Sequence, residues 1–301
     1  MGTTEFIHSY DDRILRIQQE QMANTEKLSE DEYTIEPQDE LLIHNYNTLP
    51  DNCKKFWKKR YKLFSKFNEG IYMSSDMWFS VTPEAVALFT ARLIREMLPE
   101  AEFILDVCCG AGGNAIQLAT EFPHVVAIDI SQNNIISTIH NAEVYGIRDH
   151  IWCIEGDWIQ MSKSPNWLNQ SIPHRKESIH HPFDFVFSSP PWGGNNYLRD
   201  TYDLNMLQPL PLKPLIQLLS QYSTNFGMFL PRLLNTDQLS EVTKQLFGSE
   251  AKCRVVYPYE GDYISGILAF WGPDVTKTHI DYELFVDPEY LILNSTLFSV
   301  A

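Results

Sequence analysis

The chain has 301 residues, 44% hydrophobic and 13% aromatic, and its 23 Lys+Arg against 39 Asp+Glu give a formal net charge of -16. A chain this long and apolar can bury a sizeable core, which excludes a disordered polymer, a collagen-like repeat and a disulfide scaffold. An even spread of that acidic charge would argue against a nucleic-acid partner, since phosphates are neutralised by Lys and Arg.

The charge is not evenly spread. Residues 1–52 carry twelve acids and three bases, and read as an acidic, poorly ordered arm. Between Cys53 and Phe67 there are seven bases and no acid, interleaved with Phe56, Trp57, Tyr61 and Phe64. Residues 53–82 therefore form a basic-aromatic N-terminal extension. Thr82-Pro83-Glu84 reads as a helix start, Thr at the cap and Pro at the first helical position. From residue 83 to 274 strand and helix alternate. Phe103–Val107, His124–Ile130, Ile151–Ile154, Phe183–Ser189 and Phe226–Leu230 read as strands. Gly113–Phe122, the run from Ser131 to Tyr145, Leu212–Tyr222 and Asp237–Phe247 read as helices. Arg254–Tyr257 and Ile264–Trp271 close the pattern as an antiparallel pair. Such alternation predicts an α/β fold with a mostly parallel sheet, helices on both faces. Residues 161–182 read as a polar loop insertion and 275–301 as a C-terminal tail without a motif. No apolar run approaches the ~20 residues that span a bilayer, so no membrane partner is expected. The first ten residues lack the basic and apolar regions of a secretory leader. The five cysteines fit neither a zinc site nor a disulfide framework, so a reducing compartment and no metal are expected.

The strand Phe103–Val107 carries Asp106 and runs into Cys108-Cys109-Gly110-Ala111-Gly112-Gly113-Asn114. Glycines at a strand-to-helix turn let backbone approach a ligand. A carboxylate just before them repels a pyrophosphate and suits a cationic, amino-bearing ligand such as S-adenosylmethionine. Asp129 ends the next strand, where an acid can accept from ribose hydroxyls. Asp157 follows the third strand and can accept from an adenine amino group. Either acid alone could equally be a helix cap or turn residue. Past Phe187, Ser188-Ser189-Pro190-Pro191-Trp192-Gly193-Gly194 leaves carbonyls without competing amide donors and sets an indole beside them. Carbonyls at Ser189 and Pro190 suit an amino group being alkylated, and Trp192 suits a stacked base.

These motifs resemble a Rossmann-like class I S-adenosylmethionine-dependent methyltransferase of the amino-methylating kind. More narrowly, the chain resembles the trimethylguanosine synthases, over roughly residues 53–272 with the polar loop set aside. The strings Trp78-Phe79-Ser80-Val81-Thr82-Pro83-Glu84, Asp106–Gln117 and Phe229-Leu230-Pro231-Arg232 carry the likeness beside Ser189–Gly194. The resemblance implies a seven-stranded sheet and S-adenosyl-L-methionine as cofactor. It implies methylation of the 2-amino group of the 7-methylguanosine cap of small nuclear and nucleolar RNAs, in two transfers. Ser189, Pro190 and Trp192 would be catalytic. Asp106, Cys109, Gly110, Gly112, Asn114, Asp129, Asp157, Phe64 and Thr82 would hold the cofactor. Lys55 and Arg232 would contact the cap phosphates, with Ser80 and Trp192 lining the cap site. It further implies a monomer in the nucleus or nucleolus, meeting ribonucleoprotein proteins of those RNAs. Cys108 stands where the family usually has an aromatic residue, and Asn195 where proline often follows the two glycines. Three rivals stay open: another amino-methyltransferase, acting on adenine or on protein glutamine; a nicotinamide-dependent oxidoreductase, disfavoured by Asp106 and the glycine spacing; and a non-catalytic cap-binding module. Asn/Asp-Pro-Pro-Tyr would mark the first, and Ser-Pro-Pro-Trp speaks against it.

Overall fold

A computed structural model describes residues 41–163, 168, 181–193, 201–260, 263–280 and 293–299. The expectations for residues 1–40, for most of the polar loop and for Gly194 and Asn195 lie outside the described residues. The central strand β1 (Phe103–Val107) is buried along its whole length. It pairs in parallel with β2 (His124–Asp129) on one side and β4 (Phe185–Ser188) on the other. Strand β3 (Ile151–Glu155) extends the sheet beyond β2, and β5 (Phe226–Leu230) extends it beyond β4, both in parallel. Then β8 (Ile267–Trp271) and β6 (Lys252–Glu260) complete it antiparallel, giving the order β3-β2-β1-β4-β5-β8-β6. This is the expected seven-stranded, mostly parallel sheet. Two further strands join β6, β7 (Tyr263–Ile264) and β9 (Leu293–Ser299).

Strand side chains alternate between two apolar layers, as the pleat demands. Ile104 packs with one cluster, which holds Ile94, Ile116 and Ile135. Phe103, Leu105 and Val107 pack with the other, which holds Leu215, Leu219 and Leu239. The first cluster seats α4 (Glu84–Met97), α5 (Gly113–Glu121) and α6 (Gln132–Tyr145). The second seats α8 (Leu212–Leu219) and α9 (Thr236–Phe247). The short helices α1 (Asp51–Lys54), α2 (Arg60–Leu63), α3 (Met77–Ser80), α7 (Trp158–Met161) and α10 (Pro273–Lys277) lie in the connections. Strand order reverses at β1, so the carboxyl ends of β1, β2, β3 and β4 form the rim where an open α/β sheet takes its ligand. Among the described residues no helix is long and apolar enough to cross a membrane.

Four expectations need correction. Residues 41–52 are not a loose arm: Leu42 and Leu49 are buried in the core, and the Leu42 carbonyl accepts from the Met73 amide. The closing strand breaks at Gly266, where a Cβ would sit 2.4 Å from the Phe229 ring. The stretch after 274 is not a bare tail: Val275 and Ile280 are buried, and β9 pairs with β6 from Lys252 to Pro258. Finally, α4 begins at Glu84 with extended Pro83 at its cap, so Thr82 sits one residue too early to cap it. The Thr82 hydroxyl instead accepts from the Asn114 amide group at 3.1 Å.

Candidate active site

The glycine-rich turn after β1 enters the left-handed region three times, at Cys108 (φ 64°), Gly110 (φ 57°) and Gly112 (φ 87°). Glycine takes such angles without a side-chain clash, whereas Cys108 holds one as an L-residue. Close packing adds a second demand. A Cβ at Gly110 would meet the Met77 sulfur at 2.9 Å, and one at Gly112 would meet the Thr138 methyl at 3.1 Å. The turn is tied down from below. The Cys109 amide donates to the Ile128 carbonyl, and the Thr138 hydroxyl donates to the Gly110 carbonyl at 2.8 Å. All five cysteines are free thiols. Burial and the charges of Asp129 and Asp106 push the Cys108 and Cys109 thiols up, which keeps both protonated.

Above the turn lies a cavity of about 630 Å³. Its acidic end is built by the strand ends. Asp129 accepts from the Gly110 amide through Oδ2 and from the Ser131 amide and the Asn134 side chain through Oδ1. Those bonds fix the carboxylate at the cavity wall and leave lone pairs for further donors. Asp157 also lines the cavity while its Oδ1 caps α7, accepting from the Ile159 amide at 3.0 Å. The helix-cap reading and the cavity-lining one are thus both realised at that residue. Asp106 is different. It lies fully buried beneath the wall, and neither oxygen has a hydrogen-bond partner among the described residues. Burial first, and then repulsion from Asp129, hold its carboxyl well above the usual carboxylate range. The Ala115 amide, short of hydrogen-bond geometry, opposes this only in part. A cationic ligand close by would draw this raised, unpartnered carboxyl back toward its ionised form.

The opposite wall comes from the N-terminal extension. Asp76, Met77, Phe79, Ser80, Val81 and Thr82 all face the cavity. Two buried asparagines hold this segment to the glycine turn. Asn114 donates to Thr82, and Asn141 donates to the Tyr72 and Ala111 carbonyls while accepting from the Tyr72 amide. Glu84 adds a third tie, accepting from the Ser65 hydroxyl at 2.8 Å and the Tyr145 hydroxyl at 2.6 Å.

The last wall is Ser189, Pro190, Pro191, Trp192 and Gly193, past the end of β4. The half-buried Trp192 donates through its indole N–H to the Phe229 carbonyl at 3.3 Å, and its ring lies 5.3 Å from that of Phe229. The Pro191 carbonyl accepts from the Gln208 amide, which brings Gln208 and Pro209 into the wall.

The cavity thus brings together ten expected residues: Ser80, Thr82, Cys109, Gly110, Asn114, Asp129, Asp157, Ser189, Pro190 and Trp192. Five others lie off its wall. Asp106 and Gly112 support it from behind. Phe64 does not line the cavity; it is buried edge-on to Tyr145, next to Ser65, whose hydroxyl donates to Glu84. Lys55 is exposed, its ammonium 4.9 Å from the Phe56 ring, and Phe56 in turn packs on Phe79. Arg232 is half-buried past the end of β5, three residues beyond Phe229. Sequence reading missed Met77, Ile130, Trp158, Ile159, Gln208 and Pro209 as wall residues. Trp158 and Ile159 directly follow Asp157 and could have been found from it. Gln208 and Pro209 carry no motif.

Comparison with known proteins agrees with this geometry. A family model described as RNA cap guanine-N2 methyltransferase matches residues 101–274, more than half of the chain. A trimethylguanosine synthase of Saccharomyces cerevisiae is 43% identical over 221 residues, covering 72% of this chain and 67% of that protein. One from Schizosaccharomyces pombe is 39% identical over 191 residues, covering 63% and 74%. A solved structure titled a putative methyltransferase from Porphyromonas gingivalis superposes on 96% of this chain and 65% of its own, with a TM-score of 0.56 at 14% identity, a likeness of fold alone. The chain belongs to the RNA cap guanine-N2 methyltransferases, for which S-adenosylmethionine is the methyl donor.

Proposed function

We propose that this enzyme acts on the 7-methylguanosine cap of small nuclear and nucleolar RNAs, adding two methyl groups in turn to give 2,2,7-trimethylguanosine. It works as a nuclear or nucleolar monomer beside the proteins of those ribonucleoproteins. The observation that supports the reading most is one cavity lined both by Asp129 and Asp157 and by Ser189-Pro190-Pro191-Trp192. The relatives named trimethylguanosine synthase support the trimethylated product.

S-adenosylmethionine supplies a sulfonium-bound, electrophilic methyl group. Asp129 would accept from the donor's ribose hydroxyls and Asp157 from its adenine, while Asp106, buried behind the wall, would offset the positive charge of its cationic end. Cys109, Gly110 and Asn114 present the backbone and side-chain surface around it, with Thr82 opposite. The cap guanine stacks on Trp192, and its positive charge adds a cation–π attraction of about 1–2 kcal/mol. Carbonyls of Ser189 and Pro190 accept from the 2-amino group. That draws its lone pair out of conjugation and points it along the reaction axis. The proton leaves afterwards to water, so no histidine is needed. Ser80 lines the base pocket, and Lys55 and Arg232, both off the cavity wall, meet the cap phosphates beyond it. A radiolabelled methyl-transfer assay tests the reading on 7-methylguanosine-capped, plain guanosine-capped and adenine-bearing RNA. Label only in the first, recovered as trimethylguanosine, is expected. Label in adenine, or none, refutes it.

A further inference from the structure

The charge that sequence reading found in residues 53–67 exceeds what a cap needs. Lys55 alone sits one aromatic contact behind the cavity wall, through Phe56 and Phe79. Lys58, Lys59 and Lys62 are exposed along the same segment. Lys54 pairs with Asp51 and Lys66 with Glu69. Two tyrosines stand out of this surface, Tyr46 at 51% and Tyr61 at 44% exposure. Each has a cation over its ring, Lys54 at 5.8 Å for Tyr46 and the Arg60 guanidinium at 4.2 Å for Tyr61. Both are braced by Trp57 and its neighbours. Tyr46 meets Trp57 edge-on at 6.2 Å, and Tyr61 meets Phe67 at 6.2 Å. Trp57 itself stacks on buried Trp78 at 5.6 Å, next to the wall residues Met77 and Phe79. Exposed aromatic faces set among cations on a rigid base are how proteins hold single-stranded nucleic acid without reading its sequence. The rest of the chain from residue 67 onward has a net charge of -14 and would repel an RNA that strayed from this strip.

We propose that the strip carrying Lys58, Lys59, Lys62 and the exposed rings of Tyr46 and Tyr61 is the path of the RNA chain following the cap. This rests on the cap reading above and extends it from the cap to the first transcribed nucleotides. Phosphates run past the lysines, and unpaired bases rest on the tyrosines. The strip therefore favours a single-stranded 5′ end over one paired up to the cap.

The test compares the full-length enzyme with a K58A/K59A/K62A variant that leaves Lys55 intact. Substrates are a 7-methylguanosine cap dinucleotide and a capped single-stranded RNA of about a dozen nucleotides, long enough to cross one such site. Wild type should show a KM for the RNA about tenfold below that for the dinucleotide, and the variant should lose most of that gap as its phosphate contacts go. The dinucleotide KM and kcat should stay within about twofold, which also reports that the variant is folded. Because each single-strand phosphate contact adds about 0.7 to the salt slope, RNA binding by the variant should have a slope shallower by about 2. Equal KM values for both substrates in wild type, or a gap and slope that survive in the variant, would overturn the proposal and assign the charge to another kind of partner. If wild type fails to methylate the dinucleotide, the cap reading falls, and the salt slopes still decide the strip.

Discussion

Asp106 carries an electrostatic burden that a ligand-binding acid can have and a structural one rarely does. Its carboxyl is raised by burial and by Asp129, so the folded protein binds this proton more tightly than the unfolded chain. Stability from this group is therefore greatest at low pH, and is lost as pH rises from the ordinary carboxylate range through the raised folded value. Asp106→Asn removes that cost. The variant should melt higher than wild type at neutral pH, with a smaller gain at pH 5, in a thermal scan without cofactor. The same variant should bind S-adenosylmethionine at least about tenfold more weakly by calorimetry, since a buried charge–charge partner is worth well over 1.4 kcal/mol. An unchanged affinity would remove Asp106 from the site. Trp192 makes the matching case for the base. Trp192→Ala should cut kcat/KM on capped RNA by about a hundredfold or more, as both the stacking energy and the orientation it gives are lost. Cofactor affinity should not change if, as proposed, the cofactor is held by Asp129, which ends β2, and Asp157, which follows β3, and not by Trp192, which follows β4.

At the scale of elements, the site depends on how the extension is fastened to the sheet. Asn141 on α6 spends its carboxamide on the Tyr72 amide and carbonyl and on the Ala111 carbonyl. Asn141→Ala strands three buried backbone groups, and should cost about 3 kcal/mol at roughly 1 kcal/mol per bond. The unfolding midpoint in urea should fall accordingly. The KM values for cofactor and capped RNA should rise together, because the turn and the opposite wall share this one side chain. A rise in only one would show that the two are held independently. These ties explain what could be read from sequence and what could not. Asp129 and Asp157 were legible because strand ends place them, whatever the distant packing does. Thr82 was legible as a site residue but was mistaken for a cap, because its Asn114 partner lies 32 residues away. Phe64 was expected at the cofactor only through the family resemblance. It is buried edge-on to Tyr145, beside a Ser65–Glu84 bond that spans 19 residues and that no local pattern reveals. Gln208 lines the wall with its amide donating to the Pro191 carbonyl, 17 residues upstream in a stretch with no motif.

The whole molecule puts its reactive centre and its reinforcement at opposite ends of one sheet. The cavity stands on β1 to β4, while the antiparallel end is closed by β9 on β6. Deleting residues 293–301 would open β6 from Lys252 to Pro258 as an unpaired edge. Open edges invite pairing with other chains. The truncated protein should melt lower and associate with concentration by light scattering, yet keep its cofactor affinity. A lost affinity would show that the two ends are coupled through the sheet. The parallel half of this architecture was plain in the sequence, since buried parallel strands read as unbroken apolar runs. The β9 pairing was not, because strand partners distant in sequence leave no periodic trace.

The clasp made by Asn141, Asn114 and Glu84 also redraws the enzyme's modular boundary. A family match that starts at residue 101 invites one to treat the upstream residues as an appendage. Met77 to Thr82 supply one side of the reaction chamber, and Leu42, Leu49 and Trp78 are sealed into the same interior as α4 to α6. A fragment begun at Pro83 would keep every strand and lose one side of its own catalytic vessel, so the smallest self-sufficient unit starts upstream of Leu42.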